Sequence, residues 1–132
     1  MPTPRDQVLR PCPRTRNCVS SDATDEIHRV DPFELLVSAS EAWAATERAV
    51  LALPRTRIVA RTATSLRAEC RSRIFRFVDD LDIELRSDAG IIAVRSASRV
   101  GRGDLGVNRR RVEALRAQLA ARGIVRGGSA PA

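Results

Sequence analysis

The chain has 132 residues, enough for one domain whose core needs neither a disulfide framework nor a structural metal. Its formal charge is +7 and its pI about 11.2, with every basic residue an arginine, which admits nucleic acid, acidic lipid or acidic protein as partner. No apolar run approaches the ~18 residues of a membrane span, the N-terminus lacks the continuous apolar stretch of a secretory leader, and one Trp, three Phe and no Tyr argue against a stacked single-stranded nucleic acid.

The expected location is therefore cytoplasmic, with the three cysteines reduced. Residues 1–11 and 125–132 are expected to be flexible tails around one domain, 12–124. The segment up to Val37 is broken by prolines and is expected to be irregular. Ser38-Ala-Ser-Glu41 has capping-box spacing, and Ala39, Ala42, Trp43, Thr46, Ala49, Val50 and Leu53 predict one apolar helix face that Pro54 ends.

Four strands follow by alternation: Arg57 to Thr62, Leu66 to Ile74, Asp79 to Arg86, and Ile91 to Ala97. The apolar parity switches between Ile74 and Leu81, so Phe75 to Val78 is expected to turn. Cys70 falls on the apolar side. Arg67, Arg71 and Arg73 fall on the charged side near Asp80, Asp82 and Glu84, where they are expected to form cross-strand ion pairs. A second helix is expected from Asn108 as N-cap, with Val112, Leu115 and Leu119 as its stripe and Gly123 at its end. The predicted fold is α+β: a four-stranded antiparallel meander with two helices packed on one face and an irregular N-terminal segment.

The charge excess is local. Residues from Arg95 onward carry nine arginines against Asp104 and Glu113 alone, while those before Arg95 are balanced. Gly101-Arg-Gly103-Asp-Leu-Gly106 has G-x-G-x-x-G spacing, but the neighbouring strands are antiparallel, no βαβ unit follows, and no acidic residue lies ~20 positions on, so a dinucleotide site is not expected. What remains is a glycine loop at a helix start, where backbone N–H groups face an anion. Arg109, Arg110 and Arg111 sit in that first turn, where the helix dipole disfavours cations, and call for a bound anion or internal acidic partners.

Cys12 and Cys18, with His28 ten residues further on, form a second constellation. With Asp22 or Asp25 they offer zinc-ligand chemistry, but the C-x5-C gap departs from structural zinc spacing and no metal or cofactor is expected. Arg14 and Arg16 supply the electropositive setting of a reactive thiol; the alternative is a loop whose cysteines pack or pair with each other.

The segments CPRTRNCVSS, HRVDPF, RSRIFRFVDDLDIEL and VRSASRVGRGDLGVNRRRVEAL, in that order, resemble the bacterial and plastid family called domain of unknown function 1499, over roughly Cys12 to Leu119. The family's recurring positions include Cys12, Asn17, Cys18, His28, Arg71, Asp79, Arg95, Arg99, Asp104, Asn108 and Arg111. The resemblance implies a fold unit and not a reaction.

The reading drawn from the residues is a binding module for a small anion, a polar ligand or an acidic protein. Its site joins Arg95, Ser98, Arg99, Gly101, Asp104, Gly106, Asn108, Arg109 and Arg111 to the Cys12–His28 segment, with Arg95 and Arg99 presenting guanidinium groups and Asp104 orienting an arginine. The alternatives are an enzyme using Cys12 or Cys18 with His28, and a purely structural interaction module.

Overall fold

A computed structural model gives the fold, described over residues 9–128. Ahead of the first helix, two short strands form, β1 (Cys18–Ser20) and β2 (Phe33–Glu34). They are followed by α1 (Ala39–Leu51), β3 (Thr56–Arg61), β4 (Ser65–Arg71), β5 (Val78–Arg86), a single 3-10 turn (Ser87–Ala89), β6 (Ile91–Ser98) and α2 (Val107–Ala121). The α+β class holds, but the sheet has six strands rather than four.

β3, β4, β5 and β6 form the expected antiparallel meander. β1 and β2 lie end to end along the free side of β6, Val19 opposite Ser96 and Phe33 opposite Ile92. Strands of three and two residues carry no readable alternation, which is why the segment reads as irregular. On the far edge, the pairing of β3 with β4 shifts register between Ile58 and Ala60, leaving Val59 bulged and exposed.

Register explains the core. Leu66, Ala68 and Cys70 of β4, Leu81 and Ile83 of β5, and Ile92 and Val94 of β6 share the face that meets both helices. Ala42, Ala45 and Val50 of α1 and Val112, Leu115 and Leu119 of α2 close on it. Ser38 Oγ accepts the Glu41 backbone N–H at 3.2 Å, so α1 is capped as expected. At the end of α2, Gly123 takes φ +73°, and its N–H reaches the Ala120 carbonyl at 3.0 Å.

β4 is shorter than the expected Leu66 to Ile74. Ser72 closes a hairpin by donating its N–H to the Phe77 carbonyl at 2.8 Å and accepting the Phe77 N–H on Oγ at 2.9 Å. The expected turn at Phe75 to Val78 therefore starts earlier, and Ile74 projects from it. At the chain ends, Leu9 and Val125 are both buried, Val125 bridging Leu35. The rest of the expected tails, residues 1–8 and 129–132, lies outside the described residues.

Candidate functional site

Asn108 organises the end of the sheet where β6 runs into α2. It is fully buried. Its Oδ1 accepts from Ser96 Oγ at 2.6 Å and from an Arg111 guanidinium N–H at 2.8 Å. Its Nδ2 donates to Asp104 Oδ2 at 2.7 Å and Ser98 Oγ at 2.9 Å, with the Asn17 carbonyl at 3.3 Å. Arg111 continues the network to Asp79 Oδ2 at 2.8 Å. Asp79 shares the face of Leu81 and Ile83, so its carboxylate points at the core and needs a buried cation.

This geometry corrects the expected N-cap. The residue at the head of α2 is Gly106, at φ +79°, and the capping acceptor is Asp104. Asp104 Oδ1 takes the Gly106 N–H at 2.8 Å, and Oδ2 takes the Asn108 N–H at 3.1 Å. Burial raises the Asp104 pKa, but the hydrogen bonds from Asn108 and Gly106 outweigh it and hold the carboxyl below its ordinary value. The anion at this helix N-terminus is thus the chain's own, and Asp104 orients the helix rather than an arginine.

The arginines expected to face a ligand are engaged internally. Arg99 grips Asp80 through Nε and an Nη at 3.0 and 2.8 Å, and reaches Glu69 at 2.7 Å. Those hydrogen bonds are the main cause holding the Asp80 and Glu69 carboxyls low. Arg109 donates to the carbonyls of Ile27 and Arg29, and Arg110 to that of Leu105. The three first-turn cations therefore have partners: carbonyls for Arg109 and Arg110, Asp79 for Arg111.

Arg95 is buried on the charged face, against Pro11. One Nη approaches the Pro11 carbonyl at 3.4 Å, and the other lies 3.9 Å from Asp82. Asp82 accepts from Arg67 Nε at 2.6 Å on its other oxygen. Burial, then the charge of Arg10, lowers the Arg95 pKa from the ordinary arginine value. Of the cross-strand pairs expected on this face, Arg67 with Asp82 forms; Arg71 pairs instead with Glu69 of its own strand at 3.5 Å and Glu84 with Arg86 of its own at 2.6 Å, Arg86 also forking onto Asp22.

The N-terminal segment does meet the glycine loop. Arg16 N–H donates to the Arg102 carbonyl at 2.9 Å, and Asn17 Nδ2 to the Gly101 carbonyl at 2.8 Å. A cleft of about 440 Å³ opens between them, lined by Arg16, Ile27, Gly103, Leu105 and Arg109. Cys12 and Cys18, however, form a disulfide, with Cα atoms 5.7 Å apart. This corrects the expectation of reduced thiols and removes both nucleophile candidates and two zinc ligands in this state. His28 is held at both ring nitrogens, by Asp25 Oδ2 at 2.6 Å and the Thr15 carbonyl at 2.8 Å. Cys70 is buried in the core as expected, and burial pushes its thiol pKa up.

A feature that the sequence reading passes over is the hairpin at residues 72–77. At its base a cleft of about 330 Å³ is lined by Arg55, Arg57, Arg71, Arg73 and Arg76 with one carboxylate, Glu69. The signal was present in R-S-R-I-F-R-F, which interleaves arginines with large apolar residues where the strand parity breaks. Among the described residues no helix is long and apolar enough to cross a membrane.

A family model described as protein of unknown function (DUF1499) matches residues 8–119. No curated protein matches the chain.

Proposed function

Taking as premise that the chain belongs to the DUF1499 family of proteins of unknown function, we propose that it is a binding module whose basic end takes an anionic partner. The observation that carries this reading is the arginine cleft at the base of the β4–β5 hairpin. Arg55, Arg73 and Arg76 have no carboxylate within ion-pair distance among the described residues, and the one acid in the cleft, Glu69, is already shared by Arg57, Arg71 and Arg99. Guanidinium groups that converge without counter-charges favour a phosphate or carboxylate, which they grip in a planar fork.

The Arg95–Arg111 loop is then the frame of the site rather than its contact surface. Asp104, Asn108 and Arg111 fix the start of α2, and Arg99 offsets the charge of Asp80 and of Glu69, the acid that lines the cleft. The disulfide and the doubly bonded His28 leave the enzyme reading without a free thiol in this state.

The test is thermal stability in pyrophosphate, citrate and a polyglutamate peptide. Stabilisation of the native chain is expected, since a ligand that binds only the folded state raises its melting temperature. Arg73→Ala/Arg76→Ala should abolish the gain, and Arg48→Ala on α1 should keep it. No shift with any of the three sinks the reading.

A further inference from the structure

The β4–β5 hairpin is built to leave apolar side chains in water. Ile74 is 78% exposed, Phe75 72% and Phe77 52%. The two rings stack on each other, centroids 5.5 Å apart at 19°, away from the core. Ser72 holds the tip closed with two hydrogen bonds, so the exposure is a fixed presentation and not a frayed end. Arg76 adopts φ +60°, a left-handed conformation that a non-glycine residue takes at some energetic cost. Arg99 N–H bonds the Val78 carbonyl, which brings the loop carrying Val100 and the 93%-exposed Leu105 to the same end of the sheet.

Three properties narrow the partner. The apolar residues sit on a convex tip of a few residues, too small to bury the ~800 Å² per side of a stable protein interface. Each ring already covers one face of the other, which leaves a poor platform for stacking bases. Around the tip, Arg73 and Arg76, with Arg55 at its base, lack carboxylate partners among the described residues. An apolar tip ringed by cations matches the layered chemistry of an anionic bilayer surface, hydrocarbon below and phosphate above.

We propose that this hairpin docks the protein on the surface of an anionic lipid bilayer, with Ile74, Phe75 and Phe77 entering the headgroup–acyl boundary and Arg55, Arg73 and Arg76 pairing with lipid phosphates. The proposal rests on the reading of the basic end as an anion-binding surface and names its partner. The side chains enter the interface and do not span it.

Co-sedimentation of the full chain with vesicles tests it. Binding is expected to vesicles of phosphatidylcholine mixed with phosphatidylglycerol, absent with phosphatidylcholine alone, and weakened by salt. Arg73→Ala/Arg76→Ala should weaken binding by about 30-fold, and Phe75→Ser/Phe77→Ser by more than about tenfold. Both variants alter exposed residues, and unchanged melting temperatures will show that the fold is intact. Phe75→Trp should shift its emission to the blue on vesicles, against the constant background of Trp43. Failure of the native chain to bind the mixed vesicles overturns the proposal, as does full binding by the Phe variant. If vesicles fail while polyglutamate or pyrophosphate still binds through Arg73 and Arg76, lipid is excluded and the broader anion reading stands. If all fail, both fall. Tighter binding to a single-stranded oligonucleotide, lost in the Phe variant, also overturns the lipid assignment.

Discussion

Asp104 and Asn108 are bound twice, one carboxylate oxygen accepting both the backbone N–H and the side-chain Nδ2 of Asn108, at 3.1 and 2.7 Å. The first bond starts a helix and the second anchors a buried amide. Asp104→Ala breaks both. It should lower stability by about 2–3 kcal/mol, combining a lost cap with an unsatisfied buried donor. Urea denaturation measures this, and an unchanged midpoint refutes the network. Asn108→Ala should cost more, because Ser96, Ser98 and Arg111 lose their shared partner as well.

The Cys12–Cys18 bond closes a short loop, with a sequence separation of 6. Chain-entropy arguments give such a bridge about 2 kcal/mol. Cys12→Ser/Cys18→Ser, or the native chain in reductant, should melt several degrees lower. Alkylation in denaturant without reductant, read by mass spectrometry, should label Cys70 alone.

Acid should weaken the Arg99 cluster in a defined direction. Hydrogen bonds from Arg99 hold the Asp80 and Glu69 carboxyls below their ordinary values. The unfolded chain therefore takes up protons first as pH falls. The cluster's contribution is complete above about pH 4, the unfolded carboxyl range, and is lost as pH drops through the folded values. Arg99→Ala removes the shift, so its stability at neutral pH should be lower and its decline below about pH 4 shallower. Parallel slopes for variant and native chain would refute the assignment.

Asp82 lies between Arg67 and Arg95 with one oxygen bonded and the other, like Arg95 Nε, without a hydrogen-bond partner among the described residues. Asp82→Ala leaves a buried guanidinium without a counter-charge and should cost about 3–5 kcal/mol. Asp82→Leu/Arg95→Met should recover more than half of that loss, since the pair's burial is itself costly. A double variant no more stable than Asp82→Ala would show that the pair contributes more than compensation.

Both helices and the four long strands were legible because period 3.6 and period 2 recur over enough residues to show, as in Val112, Leu115 and Leu119 or Leu81 and Ile83. β1 and β2 are too short for any period, and their pairing with β6 is a long-range event that local pattern does not encode. Asp79 carried an unread signal. It stands in the inward parity of β5, and an inward acid requires a buried base, which is Arg111. Arg116 carried another, sitting four residues past Val112 and three before Leu119. It donates to the carbonyls of Asp31 and Pro32 and lies 5.0 Å over the Phe33 ring. The cleft of Arg55, Arg57, Arg71, Arg73 and Arg76 was not legible as a place, since none of its arginines falls in the Arg95–Arg111 loop or the Cys12–His28 segment. The charge count points to Arg95 onward, while the arginines left without carboxylates, Arg55, Arg73 and Arg76, belong to the balanced part of the chain and are set apart only by distances that the folded chain fixes.

The bulge at Val59 has a consequence for how copies of this protein meet. With β1 and β2 covering the outer side of β6, β3 is the sheet's exposed long edge. An unbroken edge is a template on which another molecule's strand can grow. Here the misregister interrupts the row of N–H and C=O groups, and Arg57 and Arg61 add like charges that repel a second copy. The edge where the meander begins is therefore a poor template for a seventh strand.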